Sequence, residues 1–142
     1  MTQAIQPTEE IWNVLGERIV CRVSGAETFG RFAVVEETSP PAGFVPPHFH
    51  HHTDELVYVL EGEYEVVTDG EKRRARPGEM LFIRRGTTHS LRNVSAAESR
   101  FLAIITPSGF ENFFAEISRL DAPEIEKIVE IGKRNDLALV ME

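Results

Sequence analysis

Histidine and glutamate side chains cluster in one short segment of this 142-residue chain, and a further histidine follows in a later turn. The segment contains His48, His50 and Glu55, and the later histidine is His89. Three imidazoles and one carboxylate are a typical ligand set for a divalent transition-metal ion, and they leave coordination positions for water or substrate. Side chains two residues apart on a strand point to the same face, so we expect His48 and His50 to project together. Glu55 would join them after a short bend, and His89 would come from a distant strand.

The run of histidines leaves one alternative open. His52 shares a face with His48 and His50 in an extended segment, whereas His51 points the other way. Strand geometry alone therefore keeps His52 as a competing ligand. A surface loop with incidental histidines is the other interpretation of the run HFHHH. We favour metal binding, because histidine has no packing merit that would explain four of them within five residues.

The segment from about residue 17 to 106 is typical of short strands divided by glycine and proline turns. This pattern predicts an all-β sandwich or barrel. The apolar run LVYVL (56–60) predicts a strand covered on both faces, and 39–47 is expected to be a break between strands. The candidate strands are 18–23, 31–38, 55–60, 63–68, 80–84, 89–93 and 100–105.

Apolar residues recur at helical spacing after residue 107, which predicts helices with one apolar face. Ser108 and Glu111 have the spacing of a capping box, which predicts a helix start at Ser108. A second helix is expected to begin near Pro123. We expect the helical segment, about 108–135, to pack over the barrel or a partner subunit. The tail 137–141 would be a last strand or a dimer arm.

The composition of the chain limits the class of protein to which it can belong. A net charge of −8 argues against non-specific binding to nucleic acid or to an anionic membrane. The one cysteine, Cys21, rules out an intrachain disulfide, and we expect it to be a small buried hydrophobic residue. The N-terminus lacks a signal-peptide pattern, and no apolar stretch approaches the roughly 20 residues of a membrane span. We therefore expect a cytoplasmic protein with one domain over 1–142.

The segment 43–62 resembles the first sequence motif of the cupin superfamily. That motif is a glycine, then HxH, four residues, a glutamate, six residues and a glycine. The chain matches its HxH at His48 and His50, its glutamate at Glu55 and its final glycine at Gly62. The leading glycine is Gly43, one residue closer to the first histidine than in the commonest form of the motif.

The segment 78–93 resembles the second cupin motif. Its two glycines, histidine and asparagine are matched by Gly78, Gly86, His89 and Asn93. Arg84 stands where the family usually has proline, which removes a rigid φ angle at the turn and places a charge near the rim of the barrel.

The resemblance implies a jelly-roll β-barrel of two sheets with C-terminal helices. It selects His48, His50, Glu55 and His89 as ligands of one divalent transition-metal ion (Fe, Mn, Ni, Co, Cu or Zn) and leaves His52 outside the site. Over roughly residues 12–120 the chain is similar to single-domain cupins related to quercetin 2,3-dioxygenases. This implies a metal-dependent dioxygenase that acts on a flavonol-like or other enolisable aromatic compound.

Glu55 would then be a catalytic base as well as a ligand, because a carboxylate at the metal can take a proton from a hydroxyl group beside it. Tyr64 and Arg84 could reach the mouth of the pocket and orient a polar group. An apolar wall is expected for an aromatic substrate, and its candidate residues are Phe49, Tyr58, Phe82, Leu91, Phe101 and Ile104.

Two other functions stay open. One is a metal-dependent isomerase or epimerase of a small sugar or keto compound, in which the metal acts as a Lewis acid. The other is a non-catalytic module that binds a small molecule. In each case the partner is a small molecule, and an open sheet edge together with the amphipathic C-terminal segment predicts a homodimer.

Overall fold

The computed structural model describes residues 10–140, which form two β-sheets and two helices. The strands are β1 (Glu10–Val14), β2 (Glu17–Val23), β3 (Ala33–Ser39), β4 (Phe44–Phe49), β5 (Asp54–Glu61), β6 (Tyr64–Thr68), β7 (Glu71–Ala75), β8 (Met80–Ile83), β9 (His89–Asn93), β10 (Ser99–Thr106) and β11 (Ala138–Leu139), and the helices are α1 (Glu111–Ser118) and α2 (Ile125–Arg134).

The strands pair antiparallel in two sheets. One sheet has six strands in the order β1-β2-β3-β10-β5-β8, and the other has five in the order β11-β4-β9-β6-β7. Alternate side chains point between the sheets, and Phe101, Ala103 and Ile105 of β10 meet Val66 and Leu91 of the other sheet in one buried core. The predicted all-β jelly roll with C-terminal helices is confirmed.

Each of the seven candidate strands is present, with ends displaced by at most two residues. The predicted break at 39–47 is wrong at its end, because β4 already begins at Phe44. Two prolines lie inside β4, where its pairing with β9 changes register between Val45 and His48. Proline cannot donate a ladder hydrogen bond, so it is tolerated at such an irregularity. Beyond it, His48 lies opposite His89.

The prediction that LVYVL is covered on both faces is wrong. In β5, Val57 and Val59 are buried between the sheets, whereas Leu56, Tyr58 and Leu60 are only half-buried on the outer face of the six-stranded sheet. The strand has a paired strand on each side, but its outer face is partly open to solvent.

Helix α1 begins at Glu111 rather than at Ser108. The Ser108 amide donates to the carbonyl of Gly30, which ties Ser108 to a turn before β3. The predicted capping box is therefore wrong, and the residue before the helix, Phe110, makes no side-chain cap bond. The carboxylate of Glu111 instead accepts a hydrogen bond from the amide of Gly109 at 2.6 Å.

Helix α2 begins at Ile125, two residues after Pro123, and buries Ile128 and Ile131. Helix α1 packs against β1, and α2 packs against α1 and β11, so both helices lie over the barrel. The tail forms β11, which pairs with β4. Met141 lies outside the described residues, as do the two ends of the predicted domain and residues 1–9. Within residues 10–140 the structure has no helix that is long and apolar enough to cross a membrane.

Candidate metal centre

Three histidines converge at one end of the five-stranded sheet. His48 is near the end of β4 and lies opposite His89, the first residue of β9, while His50 follows β4 directly. One ring nitrogen of each lies within 4.8 Å of one from each of the other two, and all three side chains are buried. The structure thus brings together three of the residues that the sequence singled out.

Glu55 reaches the same point from the opposite sheet. It lies on β5 and points inward, in phase with the buried Val57 and Val59. Its Oε1 atom is 3.5 Å from Nε2 of His50 and 3.7 Å from Nε2 of His89. The site therefore draws on both layers of the barrel, with histidines from one and the carboxylate from the other.

Each imidazole is held by its other nitrogen. Nδ1 of His48 lies 2.8 Å from the carbonyl oxygen of Pro46. Nδ1 of His50 lies 2.7 Å from the carbonyl oxygen of Asp136, and Nδ1 of His89 lies 2.9 Å from that of Thr87. A carbonyl can only accept, so Nδ1 carries the proton in each ring and Nε2 keeps a lone pair. Metal-binding histidines commonly donate Nδ1–H to a carbonyl oxygen in this way, which fixes the orientation of the ring.

The atoms at the centre have no hydrogen-bond partner. Nε2 of His50, Nε2 of His89 and Oε1 of Glu55 are buried and unsatisfied among the described residues. Leaving a buried polar group unsatisfied costs about 1–3 kcal/mol, and more for a charged one. Ligand atoms that share one divalent ion at about 2.1 Å lie roughly 3.0–3.6 Å apart. The distances of 3.5 Å and 3.7 Å from Oε1 to the two nitrogens are close to this range, and the chemistry of these atoms suits such an ion.

Burial and charge set the protonation of the cluster. Burial, together with the neighbouring His89 and His50, lowers the pKa of His48 to about 3. Burial opposes ionisation of Glu55, but interactions with His50 and His89 outweigh it and hold the pKa of Glu55 well below its usual range. Burial would likewise lower the pKa of His89, yet the carboxylate of Glu55 raises it. An ionised Glu55 and a neutral His48 are the forms in which these residues bind a metal.

His52 does not join the cluster. It is exposed in the bend after β4, and its amide donates to the carboxylate of Asp136. The same carboxylate accepts hydrogen bonds from the amide of His51 at 2.8 Å and the hydroxyl of Thr53 at 2.7 Å. Strand periodicity left His52 open as a competitor, and the bend removes it from the face of His50.

Asp136 is therefore a hub that sequence reasoning missed. Its backbone carbonyl fixes the ring of His50, and its side chain fixes the three residues that follow. Asp136 lies just beyond α2 with a positive φ of 55°, a conformation in which Asp is one of the few tolerated non-glycine residues. The local sequence signals only a helix end, and the link to a histidine 86 positions away is purely tertiary.

The turn of the second motif packs directly on the histidine segment. The amide of Gly86 donates to the carbonyl of His50 at 2.7 Å, and Gly86 has a φ of 82° that favours glycine. The amide of Thr87 closes the turn on the carbonyl of Arg84, so this turn forms without proline. The side chain of Arg84 is exposed and does not line the cavity described below.

An apolar cavity of about 170 Å³ opens beside the histidines, many times the space that one water molecule needs. Leu91 and Phe101 line it as predicted, together with residues of β4, α1 and α2. Among the described residues, no lysine or arginine lines it. Its carboxylates are Glu55 and two that the sequence analysis did not select, Glu17 and Glu37.

The other predicted wall residues do not line the cavity. Tyr58 alternates with Val57 and Val59 and therefore points to the outer face of its sheet. Phe82 is 55% exposed. Tyr64 is buried rather than at the mouth, with its hydroxyl 2.9 Å from Oγ of Ser39. The residues wrongly placed in the wall are Phe49, Tyr58, Phe82 and Ile104.

A sequence model described as a cupin domain matches residues 35–105, half of the chain. The chain is 32% identical over 87 residues to quercetin 2,3-dioxygenase of Bacillus subtilis (strain 168). That match covers 61% of this chain but only 26% of the Bacillus protein. An uncharacterized protein of Aquifex aeolicus (strain VF5) is 34% identical over 89 residues, which covers 63% of this chain and 69% of that protein.

Among solved structures, the polyketide cyclase RemF from Streptomyces resistomycificus superposes with a TM-score of 0.65 at 26% sequence identity. The superposition covers 76% of this chain and 81% of that one. The match to the cupin-domain model includes the strands that carry His48, Glu55 and His89.

Proposed function

This chain belongs to the cupin family, and we propose that it is a metal-dependent dioxygenase acting on a flavonol-like or other enolisable aromatic compound. One observation carries the proposal: buried, unpartnered imidazole and carboxylate atoms meet at the wall of an apolar cavity. The names of two similar proteins, a quercetin dioxygenase and a polyketide cyclase, support a substrate of this chemical class.

We propose that His48, His50, Glu55 and His89 hold one divalent transition-metal ion through their Nε2 and Oε1 atoms. When bound, such an ion supplies a Lewis acid and, if it is redox-active, a centre for oxygen chemistry. The protein contributes the orientation of the ligands, because each histidine is fixed through its Nδ1 atom.

Glu55 has a second proposed role as the catalytic base. Its carboxylate is ionised and its Oε1 atom has no hydrogen-bond partner among residues 10–140. A substrate hydroxyl that enters the cavity beside Glu55 would donate to the carboxylate oxygen that does not bind the ion, and it would transfer its proton there as the enolate forms. The apolar wall excludes water around this step.

The character of the cavity favours an aromatic substrate over a sugar. Phe101, Phe110 and Leu91 present apolar surface to a flat ring. A sugar phosphate or a small dicarboxylate needs cationic partners, and no lysine or arginine lines the cavity in the described part of the chain. The isomerase alternative therefore has less support than the dioxygenase.

Metal content and oxygen uptake test the proposal. The purified protein is analysed for metals, loaded in turn with each candidate ion, and mixed with quercetin while dissolved oxygen is recorded. We expect rapid uptake with at least one redox-active metal, and none with the His89→Ala variant. Bound metal without oxygen uptake for quercetin or other enolisable aromatic compounds would contradict the dioxygenase and favour an isomerase or a binding module.

We also propose that the chain forms a homodimer through the edge of the six-stranded sheet. Strand β8 lies at this edge and exposes Met80 and Phe82, at 53% and 55%. An apolar edge strand invites pairing with a second copy. Light scattering coupled to size-exclusion chromatography should give twice the chain mass, and a monomer at micromolar concentration would contradict the proposal.

A further inference from the structure

Two acidic side chains inside the barrel have no part in the proposed metal chemistry. Glu17 lies on β2 and Glu37 on the adjacent strand β3, and each is only 6% exposed. Ile19 of β2 lies opposite Glu37 of β3. Glu17 precedes Ile19 by two residues and is therefore the diagonal neighbour of Glu37 on the inner face. Both carboxyl groups line the cavity.

The pair is held by a chain of hydrogen bonds. The hydroxyl of Tyr64 lies 2.9 Å from Oγ of Ser39, and the hydroxyl of Ser39 donates to Oε1 of Glu17 at 2.5 Å. The neighbouring Glu17 acts on the carboxyl group of Glu37 and raises its pKa. A Cβ atom on Gly43 would lie 2.8 Å from Oε2 of Glu17, so glycine at this position leaves room for the carboxylate.

Burial beside Glu17 favours the protonated form of Glu37. Burial raises the pKa of Glu37 well above its usual range, and the neighbouring Glu17 and the more distant charge of Glu55 raise it further. A carboxyl group that is buried in an apolar site next to another one favours its neutral form. Glu37 therefore keeps its proton, and the oxygen lone pairs of both carboxyl groups are acceptors.

The acidic pair and the histidine cluster lie at different places in the cavity. Across the six-stranded sheet, Glu37 is in register with Phe101 of β10, whereas Glu55 is in register with Ile105. Four residues along a strand correspond to roughly 13 Å. The rest of the cavity lining is largely apolar and includes Phe101 and Leu91. The cavity thus has a polar site at each end and an apolar middle.

We propose that Glu17 and Glu37 form a second subsite, which accepts a hydrogen bond from a neutral hydroxyl group of the substrate at the end of the cavity away from the histidines. This inference rests on the proposed function and deepens it, because it selects aromatic compounds with an oxygen at the metal end and a phenolic hydroxyl at the other. Anionic groups are disfavoured there, since two carboxyl side chains would face them and no lysine or arginine lines the described cavity.

Binding of two flavonols without oxygen tests the subsite. Quercetin carries hydroxyl groups on both outer rings, whereas 3-hydroxyflavone has only the hydroxyl of the enol. The affinities of both are measured by equilibrium dialysis on the metal-loaded protein. We expect the wild-type protein to prefer quercetin by about tenfold, the size of effect that one buried hydrogen bond gives.

The double variant Glu17→Met/Glu37→Met removes both acceptors, and it should reduce the preference to near one without weakening binding of 3-hydroxyflavone. Glu17→Leu/Glu37→Leu repeats the measurement if the methionine variant does not fold. Glu36→Leu is the matched control and should keep the wild-type preference, because the adjacent Glu36 instead pairs with Arg22 and Arg100 at the surface.

A preference that persists in Glu17→Met/Glu37→Met would overturn the subsite, as would a wild-type protein that binds both compounds equally or neither. Oxygen uptake is recorded on the same samples. Preferential binding without uptake contradicts the dioxygenase and leaves the subsite standing, so the two failures are distinguishable.

Discussion

At the scale of single residues, the proposed metal site depends on imidazole rings that the backbone holds by Nδ1. We predict that His50→Ala and His89→Ala each lose most of the bound metal, because each removes a ligand whose Nε2 faces the centre. Both variants should stay folded, since the core consists of apolar residues from both sheets and the helices. Elemental analysis and circular dichroism check this, and full metal occupancy in both variants would contradict the assignment.

His52→Ala is the matched control for these substitutions. His52 is exposed and contributes only its backbone amide to the local hydrogen bonds, so the variant should keep the metal content of the wild-type protein. Loss of metal in this variant would mean that the bend after β4 places His52, and not His50, at the ion.

Cys21 provides a prediction that depends on pH. Burial, and to a lesser extent the charge of Glu111, raises the pKa of this thiol from 9.0 to about 11. An acid with a raised pKa in the folded state contributes stability below its unfolded pKa, and this stability is lost as the pH rises from about 9 towards 11. The free energy of unfolding should therefore fall more steeply over this range in the wild-type protein than in Cys21→Ala.

Urea unfolding of both proteins at pH 8 and pH 10.5 measures the difference, and other groups that titrate in this range are common to both. Iodoacetamide at pH 8 should modify Cys21 only after unfolding. Rapid alkylation of the folded protein, or equal loss of stability in the two proteins, would show that the thiol is not protected.

At the scale of elements, the C-terminal segment after α2 acts as a clamp on the histidine segment. The carboxylate of Asp136 accepts three hydrogen bonds from residues 51–53, and its carbonyl holds the ring of His50. We predict that Asp136→Ala weakens metal binding by about 10–100-fold, the usual effect of removing support from a ligand. Competition with a chromogenic chelator measures the affinity.

Asp121→Ala is a suitable control for this substitution, because Asp121 is an exposed residue between the two helices. It should bind metal like the wild-type protein. An unchanged affinity in Asp136→Ala would show that the bend keeps its shape without the carboxylate, and that the clamp does not support the site.

The elements also explain how much of the site the sequence could predict. Strand alternation is a local property and placed His48 and His50 on one face, but it left His52 open. The resemblance to the two cupin motifs then selected His48 and His50 together with Glu55 and His89. Strand alternation could also have predicted the burial of Glu17. This residue is in phase with the apolar Ile19 and Cys21 of the same strand, so it points to the same inner face. Asp136 could not be found this way, since its partners are more than 80 residues away.

Local rules failed where tertiary structure overrode them. The two prolines of β4 led to the prediction of a break where a strand is present. The strand tolerates them because they lie at a change of register. Ser108 had the spacing of a helix cap but bonds to the turn at Gly30 instead. The outer face of LVYVL is apolar yet only half-buried, and burial on that face depends on what lies outside the sheet, which composition alone does not reveal.

At the scale of the whole molecule, the candidate site joins the two layers of the barrel. His48, His50 and His89 belong to the five-stranded sheet and its turns, and Glu55 belongs to the six-stranded sheet. An ion bound by all four would link the layers across the core. The fold does not depend on that link, because residues such as Val57 and Ile105 already close the interior without solvent exposure.

Removal of the metal should therefore lower stability without unfolding the protein. A ligand at 100 times its Kd stabilises the folded state by about 2.7 kcal/mol, which corresponds to roughly 5–10 °C in Tm for a chain of this size. We expect chelation to lower Tm by this amount, to leave the far-ultraviolet circular dichroism unchanged at 25 °C, and to be reversed by added metal. His89→Ala should show no rise of Tm with metal. Unfolding on chelation at 25 °C would mean instead that the ion is part of the core, and that the apolar contacts between the sheets are too weak to hold the barrel closed while Glu55 and the histidines lack a partner.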